Sequence, residues 1–157
     1  MVHGQAQILA IDPGLHHCGL AWFEARTEQL LKTEVVKGLG NLDIVVSAVS
    51  QSQRLNKVIV VVIEEPQIFA SSTKGMAAHN SGAVNKLIAL VFSLRQLCLD
   101  RGLKVVLAPV TKWKGNVPKE VMARRLSRYY DLTQRTSDEI DAVGIGRWYL
   151  RTILQAP

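Results

Sequence analysis

The sequence contains few cysteines and no long apolar segment, and both shortages exclude classes of protein. Cys18 and Cys98 form no C-x-x-C pair, which argues against a zinc site and predicts two buried free thiols. No run approaches the roughly 20 apolar residues that cross a bilayer. Residues 1–7, MVHGQAQ, lack the charged-then-apolar pattern of a signal peptide. We therefore expect a cytoplasmic protein that does not bind membranes.

Length and apolar content indicate the domain organisation. With 157 residues, 48% of them apolar, the chain is long enough for one well-filled core and too short for two ordinary domains. No internal repeat or low-complexity linker divides it. We expect a single domain over residues 1–157.

Acidic residues are scarce in one segment, residues 104–135. The segment contains eight basic side chains and only two acidic ones, Glu120 and Asp131. Its formal charge is therefore +6, equal to the net charge of the whole chain. A concentrated basic surface suits a polyanion such as nucleic acid. The alternative is an ordinary solvated surface. The basic residues are Lys104, Lys112, Lys114, Lys119, Arg124, Arg125, Arg128 and Arg135.

The first part of the chain predicts an antiparallel meander. Apolar runs divided by turn residues indicate strands at about residues 7–12, 18–25 and 30–37, with Pro13 and Gly14 in the first turn. A helix is predicted to follow, with Asn41 as its cap and an apolar face.

The remainder predicts strands alternating with helices. The β-branched run KVIVVVIEE, residues 57–65, is typical of a central strand covered on both faces. Residues 66–82, rich in Ser, Gly and Ala, predict a mobile loop that leads into a helix over residues 83–100. Together the elements describe an α/β fold, with a three-strand antiparallel meander and two parallel strands in one five-stranded mixed sheet, helices on both faces. The later elements are a strand in residues 103–110, a helix from Pro118 with Val121, Met122, Leu126 and Tyr129 on its apolar side, and a helix from about Thr136 to Leu154.

Carboxylates follow two of the buried strands and begin the last helix. Asp12 ends the first strand and Glu64 and Glu65 end the fourth, while Asp138 and Asp141 are three apart and share one helix face. A first strand beside a parallel fourth brings Asp12 and Glu64 to the same edge of the sheet. Repelling carboxylates imply a counter-cation, and hard oxygen ligands favour Mg²⁺ or Mn²⁺ over zinc. Two such ions suggest in-line hydrolysis of a phosphodiester.

Each acid also has a structural explanation. Asp12 before Pro-Gly can form an Asx turn, and Glu64 or Glu65 can be a solvated strand end. Asp138 falls in the first turn of a helix, where a carboxylate stabilises the helix dipole. Asp141 is harder to explain in this way, because the small and apolar residues after it indicate a helix face that packs on the sheet.

Three motifs resemble those of the RuvC-type Holliday junction resolvases, members of the ribonuclease H-like superfamily. They are AIDPGLHHCGLAWF at residues 10–23, VVIEEPQIF at 61–69 and SDEIDAVGIG at 137–146, where the family has two acids three apart ahead of an Ala-rich helix. The resemblance implies a ribonuclease H-like fold. In the family the acid usually comes directly after the apolar strand, which favours Glu64 and leaves Glu65 as the alternative. By resemblance the metal-binding and catalytic quartet is Asp12, Glu64, Asp138 and Asp141.

The resemblance also implies an activity. It is that of a homodimeric, structure-selective endodeoxyribonuclease that resolves Holliday junctions by paired symmetric nicks, using two Mg²⁺ or Mn²⁺ ions and no other small-molecule cofactor. A compact member of this kind acts in the bacterial cytoplasm, or in the host cytoplasm if it is phage-encoded. The alternatives are a nuclease of the same fold that cuts flaps, forks or other branched substrates, and a non-catalytic junction-binding protein. A third alternative is an ATPase that uses the DPG turn as a phosphate-binding loop. The chain is too short for the two-lobed nucleotide cleft of such proteins, which argues against this alternative.

Further residues are implied to bind DNA. Family members use an aromatic side chain in the loop after the second motif to stack at the exchange point, which points to Phe69, and Lys74 lies in the same loop. A core position is the alternative for Phe69. The family places phosphate-binding lysines in the segment that corresponds to TKWKGNVPKE, residues 111–120. His16 and His17 depart from the family pattern and are expected to be exposed. The remaining DNA-binding candidates are Lys112, Lys114 and Lys119, with Arg124 and Arg125 extending the basic face.

Two observations predict a homodimer. A four-way junction has near two-fold symmetry, so even cutting of two strands calls for two sites related by a dimer axis. The helix at residues 83–100 is apolar nearly all round at LIALVF, as expected if it contacts the sheet on one side and a partner on the other. The alternative is a helix that is wholly buried within the monomer.

Overall fold

A five-stranded mixed sheet lies at the centre of the structure, a computed structural model that describes residues 6–37, 58–67 and 82–155 with the isolated positions 42, 47, 49 and 50. The strand order is β3-β2-β1-β4-β5, with antiparallel pairs on one side of β1 and parallel pairs on the other. This confirms the predicted fold class. The strands are β1 (Gln7–Asp12), β2 (His17–Glu24), β3 (Leu30–Lys37), β4 (Val58–Glu65) and β5 (Lys104–Pro109).

Four helices accompany the sheet in the described ranges. The first helix has its predicted bounds and ends at Asp100. Gly102 follows two residues later, and its φ of 74° is the left-handed conformation that glycine adopts readily. The third ends at Leu126, so the prediction that places Tyr129 on its apolar side is wrong: Tyr129 lies beyond the helix and is 59% exposed. The helices are α1 (Ala83–Asp100), α2 (Val110–Trp113), α3 (Lys119–Leu126) and α4 (Ser137–Tyr149), the last continuing as a π-helical turn, Leu150–Leu154.

Two predictions fall wholly or partly outside the described residues. Of the helix predicted to begin at Asn41, the structure describes only positions 42, 47, 49 and 50, and these are helical. The predicted loop over residues 66–82 is described only at its two ends. No helix in the described ranges is long and apolar enough to cross a membrane. Cys18 and Cys98 are buried thiols that form no disulfide with each other, as predicted.

The core is divided between the two faces of the sheet, because successive strand residues point to opposite sides. On one side, the α1 face, Leu9 and Ile11 of β1 pack with buried side chains of α1. On the other, the α4 face, Ile8 and Ala10 pack with α3 and α4. Burial of each large side chain stabilises the fold by roughly 1.5–3 kcal/mol. The buried α1 residues are Val91, Leu94 and Cys98.

Helix α4 lies close against the sheet because small residues line its contact side. A Cβ atom added to Gly146 would lie 2.2 Å from a ring carbon of Phe23 on β2. One added to Gly144 would lie 2.7 Å from the ring of Trp113. Contacts this short are impossible for real side chains. Glycine at position 146 therefore sets the distance between α4 and the sheet, and glycine at position 144 sets the distance between α4 and Trp113 of α2.

Candidate active site

Asp12 and Glu64 lie at the same edge of the sheet, next to each other on parallel strands. Ile11 pairs with Ile63 in the β1–β4 register, and the two acids are the next residues of their strands. The carboxyl ends of parallel strands form the usual ligand-binding edge of an α/β sheet. The fold therefore brings these two predicted acids together.

Strand alternation distinguishes Glu64 from Glu65. Val60 and Val62 belong to the α4-face core, and Glu64 continues that series. Asp12 continues Ile8 and Ala10 on the same face. Glu65 follows the alternate residues Val61 and Ile63, which belong to the α1-face core. Of the two glutamates, Glu64 is therefore the one that faces Asp12 and α4.

Trp113 holds Glu64 in place. Its indole Nε1–H donates a hydrogen bond of 2.9 Å to Glu64 Oε2. The residue comes from α2, a single helical turn that begins directly after Pro109, where β5 pairs with the end of β4. Because Trp113 is buried, this hydrogen bond fixes one oxygen of the carboxylate against a rigid wall.

The first turn of α4 reaches the same edge through a close backbone approach. Gly19 is the β2 partner of Asp12 and faces the same side of the sheet. A Cβ atom on Gly19 would lie 2.0 Å from the backbone oxygen of Asp138. Only glycine admits this contact, which places Asp138 over the end of β1.

The start of α4 is anchored by Glu139 rather than by Asp138. Thr136 caps the helix, and its hydroxyl and backbone N–H pair with Glu139 in a reciprocal capping box. Thr33 on β3 donates a 2.6 Å hydrogen bond to the other carboxylate oxygen. Burial opposes the ionisation of Glu139, but the hydrogen bonds from Thr33 and Thr136 outweigh it and lower its pKa. Asp138 lies in the same first turn, as its structural explanation requires, but the capping hydrogen bonds are made by Glu139.

Asp141 lies one turn further along α4 and contacts two lysines. It is 9% exposed, with Lys114 Nζ 3.4 Å from one carboxylate oxygen and Lys119 Nζ 3.5 Å from the other. Lys114 is itself mostly buried and lies 5.3 Å from the centre of the Trp113 ring. The structure thus places two of the predicted phosphate-binding lysines at the acidic site.

The electrostatics of the edge disfavour negative charge. Burial, followed by repulsion from Glu64, Asp141 and Asp138, raises the pKa of Asp12 to about 8. Burial also raises the pKa of Glu64 to about 7, although the Trp113 hydrogen bond opposes the rise. Shifts of this size mark functional sites, because the fold holds carboxylates where they are costly to ionise.

The donor chemistry of this edge fits a hard divalent cation. Asp12, Glu64, Asp138 and Asp141 offer only oxygen ligands, the kind that Mg²⁺ and Mn²⁺ prefer. A cation would offset the repulsion that raises the pKa of Asp12. Among the described residues, no three His, Cys, Asp or Glu side chains are placed so that they could already hold an ion. The assignment of the four acids as ligands stays a prediction.

The other predicted residues have separate locations. Lys112, Arg124 and Arg125 are exposed on α2 and α3. His16 and His17 are exposed, as predicted. The two loop candidates, Phe69 and Lys74, lie outside the described residues.

Two residues that matter for this edge are absent from the sequence predictions. Trp113 contacts Glu64 across 49 positions of the chain, and Thr33 contacts Glu139 across 106. For Trp113 the signal is an aromatic residue between two lysines just after a predicted strand. Thr33 carries no comparable signal.

Two kinds of solved structure resemble the chain over nearly its whole length. Thermus thermophilus RuvC, solved in complex with a Holliday junction substrate, is 22% identical with a TM-score of 0.64, and the match covers 95% of this chain and 97% of that one. The fowlpox virus Holliday junction resolvase, solved with its junction DNA, is 20% identical with a TM-score of 0.61, covering 95% of this chain and 99% of that one. No family model matches the sequence, and neither does any curated protein. The predicted resemblance to RuvC-type resolvases is thus confirmed for the fold, which is ribonuclease H-like.

Proposed function

We propose that the protein is a metal-dependent endodeoxyribonuclease that cuts branched DNA, with four-way junctions as its first substrate. The observation that carries the proposal is the grouping of Asp12, Glu64 and the first turns of α4 at one sheet edge. The likeness in fold to two proteins solved with Holliday junctions supports the choice of substrate.

In this proposal Asp12, Glu64, Asp138 and Asp141 hold one or two Mg²⁺ or Mn²⁺ ions. The ions, when bound, supply an activated water and neutralise charge on the phosphodiester that is cut. Trp113 orients Glu64 through its indole N–H.

Lys114 and Lys119 have two successive roles in this proposal. Each lies within ion-pair distance of Asp141. A cation bound by Asp141 would compete with these ion pairs and leave the ammonium groups able to contact phosphate oxygens, a contact that does not depend on base sequence. The exposed side chains of Lys112, Arg124 and Arg125 extend this basic surface along α2 and α3.

A homodimer through α1 forms part of the same proposal. Val91 and Leu94 of α1 are buried against the sheet, while Phe92 is 45% exposed and Leu99 is 37% exposed. Exposed apolar side chains seven residues apart lie on one side of a helix and suit contact with a second copy. Light scattering over a concentration series tests the dimer, and Phe92→Glu should shift the equilibrium to monomer. Wild-type protein that stays monomeric at every concentration would contradict it.

The decisive experiment for function compares a synthetic four-way junction with a linear duplex, a fork and a flap, in Mg²⁺, Mn²⁺ and chelator. Wild type and Asp141→Asn are assayed side by side. We expect paired symmetric nicks in the junction that require metal and disappear in the variant. Equal cutting of forks and flaps would favour the looser nuclease of the same fold.

Junction binding without cleavage is a second candidate, and one observation favours it. Two lysines already compensate the charge of Asp141, as expected if the acid only holds the fold together. Asp12→Asn discriminates between the candidates. A binding protein keeps its function in this variant, whereas a nuclease loses cleavage and still binds junctions.

A further inference from the structure

A groove of about 400 Å³ runs between α3 and α4, outside the acidic edge. Its apolar lining includes Met122 and Leu126 from α3 and Trp148 from α4. Gly144 of α4 and Trp113 of α2 also line it. A volume of this size is in the range of small-ligand sites.

The groove is enclosed by α3, α4 and the segments that follow them. Arg125 and Leu126 lie three and four positions after Met122, on one face of α3. Tyr129 lies in the chain that follows the end of α3. Arg147 belongs to α4, and Arg151 lies in the π-helical turn that continues it. Together these segments form an apolar floor with a basic rim.

The groove is positively charged. Its lining includes four arginines and, among the described residues, no carboxylate. The positive charge of Arg151 is partly neutralised, because its Nε lies 2.9 Å from the carboxylate of Glu28 in the β2–β3 turn. The charge of the rim therefore calls for an anionic occupant. The four arginines are Arg125, Arg128, Arg147 and Arg151.

One rim arginine is held in a fixed position. The Arg147 guanidinium lies 3.5 Å from the centre of the Tyr129 ring, and Arg147 Nη1 donates a 3.4 Å hydrogen bond to the Tyr130 hydroxyl. The contact with the ring restrains the planar guanidinium, so that binding would cost less side-chain entropy. The exposed Tyr129 ring thus forms a stiff edge of the groove.

The groove and the acidic edge share a wall. Trp113 donates to Glu64 through its indole N–H, and the same side chain lines the groove. A ligand strand that extends from one site to the other therefore passes only the Trp113 side chain. This continuity favours nucleic acid, which the proposed function already places at the acidic edge, over an acidic peptide.

We infer that this groove binds an unpaired nucleotide of the DNA strand next to the cleavage site, with its phosphate on the arginine rim and its base against the aromatic residues. The inference rests on the proposed function for the identity of the strand. Base stacking on aromatic side chains and phosphate contacts by arginine are the two parts of single-strand recognition. The groove offers both within one site.

The test measures binding of a fluorescent single-stranded oligonucleotide and of a duplex of equal length, in chelator so that cleavage cannot occur. Tyr129→Ala should weaken single-strand binding by about 5- to 150-fold, the range for loss of one stacked base, and should change duplex binding much less. Tyr129→Phe, which keeps the ring, should restore binding. Arg128→Ala should lower the slope of log affinity against log salt by about 0.7 for the single strand.

The matched control removes one positive charge from the opposite side of the sheet. Arg95→Ala on α1 should leave the preference for single strands unchanged. Equal losses for single strand and duplex in Tyr129→Ala, or competition by polyglutamate as strong as by unlabelled oligonucleotide, would overturn the inference. An iodouracil placed beside the cut position of a junction should crosslink to Tyr129 or Trp148, and crosslinks confined to other residues would also overturn it.

These readouts separate the inference from the proposed function. A wild-type protein that cuts junctions, with single-strand binding insensitive to Tyr129→Ala, refutes the groove assignment alone. A wild-type protein that cuts nothing but shows the Tyr129-dependent preference refutes the nuclease proposal and leaves the groove as a nucleotide-binding site.

Discussion

The two faces of the sheet share the same strands, but they differ in the residues that lie at the ends of those strands. On the α1 face, Val61 and Ile63 lead to Glu65, beyond an apolar core. On the α4 face, Val60 and Val62 lead to Glu64, which is hydrogen-bonded and close to other acids. Two adjacent glutamates therefore have different surroundings for one geometric reason, the two-residue period of a strand.

The comparison shows how one face can carry chemistry while the other provides stability. Burial against α1 is almost wholly apolar, whereas the α4 face combines glycines, an indole N–H, buried acids and lysines at one edge. Residues at strand ends can take up costly charges because the apolar core beneath them fixes the backbone. The four predictions below test this division of roles.

The largest expected difference is between the two adjacent glutamates. Glu64→Gln should lower metal-dependent junction cleavage by at least about 10²-fold, since even residues that only support a metal ligand are worth about 10- to 100-fold. Glu65→Gln is the matched control and should stay close to wild type. Nicking assays in Mg²⁺ measure cleavage by both variants. A larger loss of cleavage in Glu65→Gln than in Glu64→Gln would contradict the assignment of Glu64 to the α4 face.

Trp113→Phe should have the next largest effect. Phenylalanine keeps an aromatic ring next to Gly144 but removes the donor to Glu64, so metal affinity should fall by about 10- to 100-fold, as for other supporting residues. Titration with Mn²⁺, followed by calorimetry, measures the affinity without any turnover.

The control for this variant is Trp22→Phe, the same exchange within the α1-face core. It is expected to lower the free energy of unfolding without changing Mn²⁺ affinity. Equal loss of affinity in the two variants would mean that the indole hydrogen bond has no special role.

Gly19→Ala should reduce stability and shift α4. The added Cβ overlaps the Asp138 backbone oxygen, and overpacking of this kind costs about 1–3 kcal/mol of unfolding free energy. Gly102→Ala serves as a comparison, since it strains a backbone with φ 74° but has open space for the side chain. Denaturant unfolding should show loss of stability in both, with loss of metal binding confined to Gly19→Ala.

For a change of one pH unit, the smallest effect is the pH dependence of metal-free stability. A carboxyl in the unfolded chain has a pKa near 4, while that of Asp12 in the fold is about 8. Between these values the folded state holds a proton that the unfolded state has released, so the free energy of unfolding falls as pH rises. The slope is at most about 1.4 kcal/mol per pH unit per group.

Denaturant unfolding in chelator between about pH 5 and pH 8 measures this slope. Asp12→Asn should flatten it, and saturating Mg²⁺ should reduce or reverse it, because the metal competes with protons for the same oxygens. A metal-free stability that rises with pH would contradict the raised pKa values.

Local patterns predicted most of the architecture. The β-branched run at residues 57–65 specifies a strand buried on both faces, and Gly102 marks the end of α1. Helix α2 escaped prediction because four residues make a single turn, which has no period to detect and little stability of its own. The π-helical turn at Leu150–Leu154 escaped because the sequence continues the helical pattern of α4 without a break.

The candidate site was predictable in its composition and not in its arrangement. Asp12 and Glu64 are visible as acids at the ends of apolar runs, and Asp141 as an acid directly before small and apolar residues. The choice of Glu64 over Glu65 depends on the register of β4 against β1, and the contact with Trp113 depends on where α2 leaves β5. Both are long-range properties, which a local reading of the chain does not contain.

The wide spacing of the acids has a consequence for the newly made chain. Asp12 and Glu64 meet once β1 and β4 have paired, but Asp141 joins them only when α4 has been synthesised and has packed on the sheet. Folding during synthesis proceeds from the N-terminus, so a nascent chain lacks the complete set of acids until Asp141 has been synthesised. In the proposed nuclease, this order keeps the site incomplete beside nucleic acid until α4 is in place.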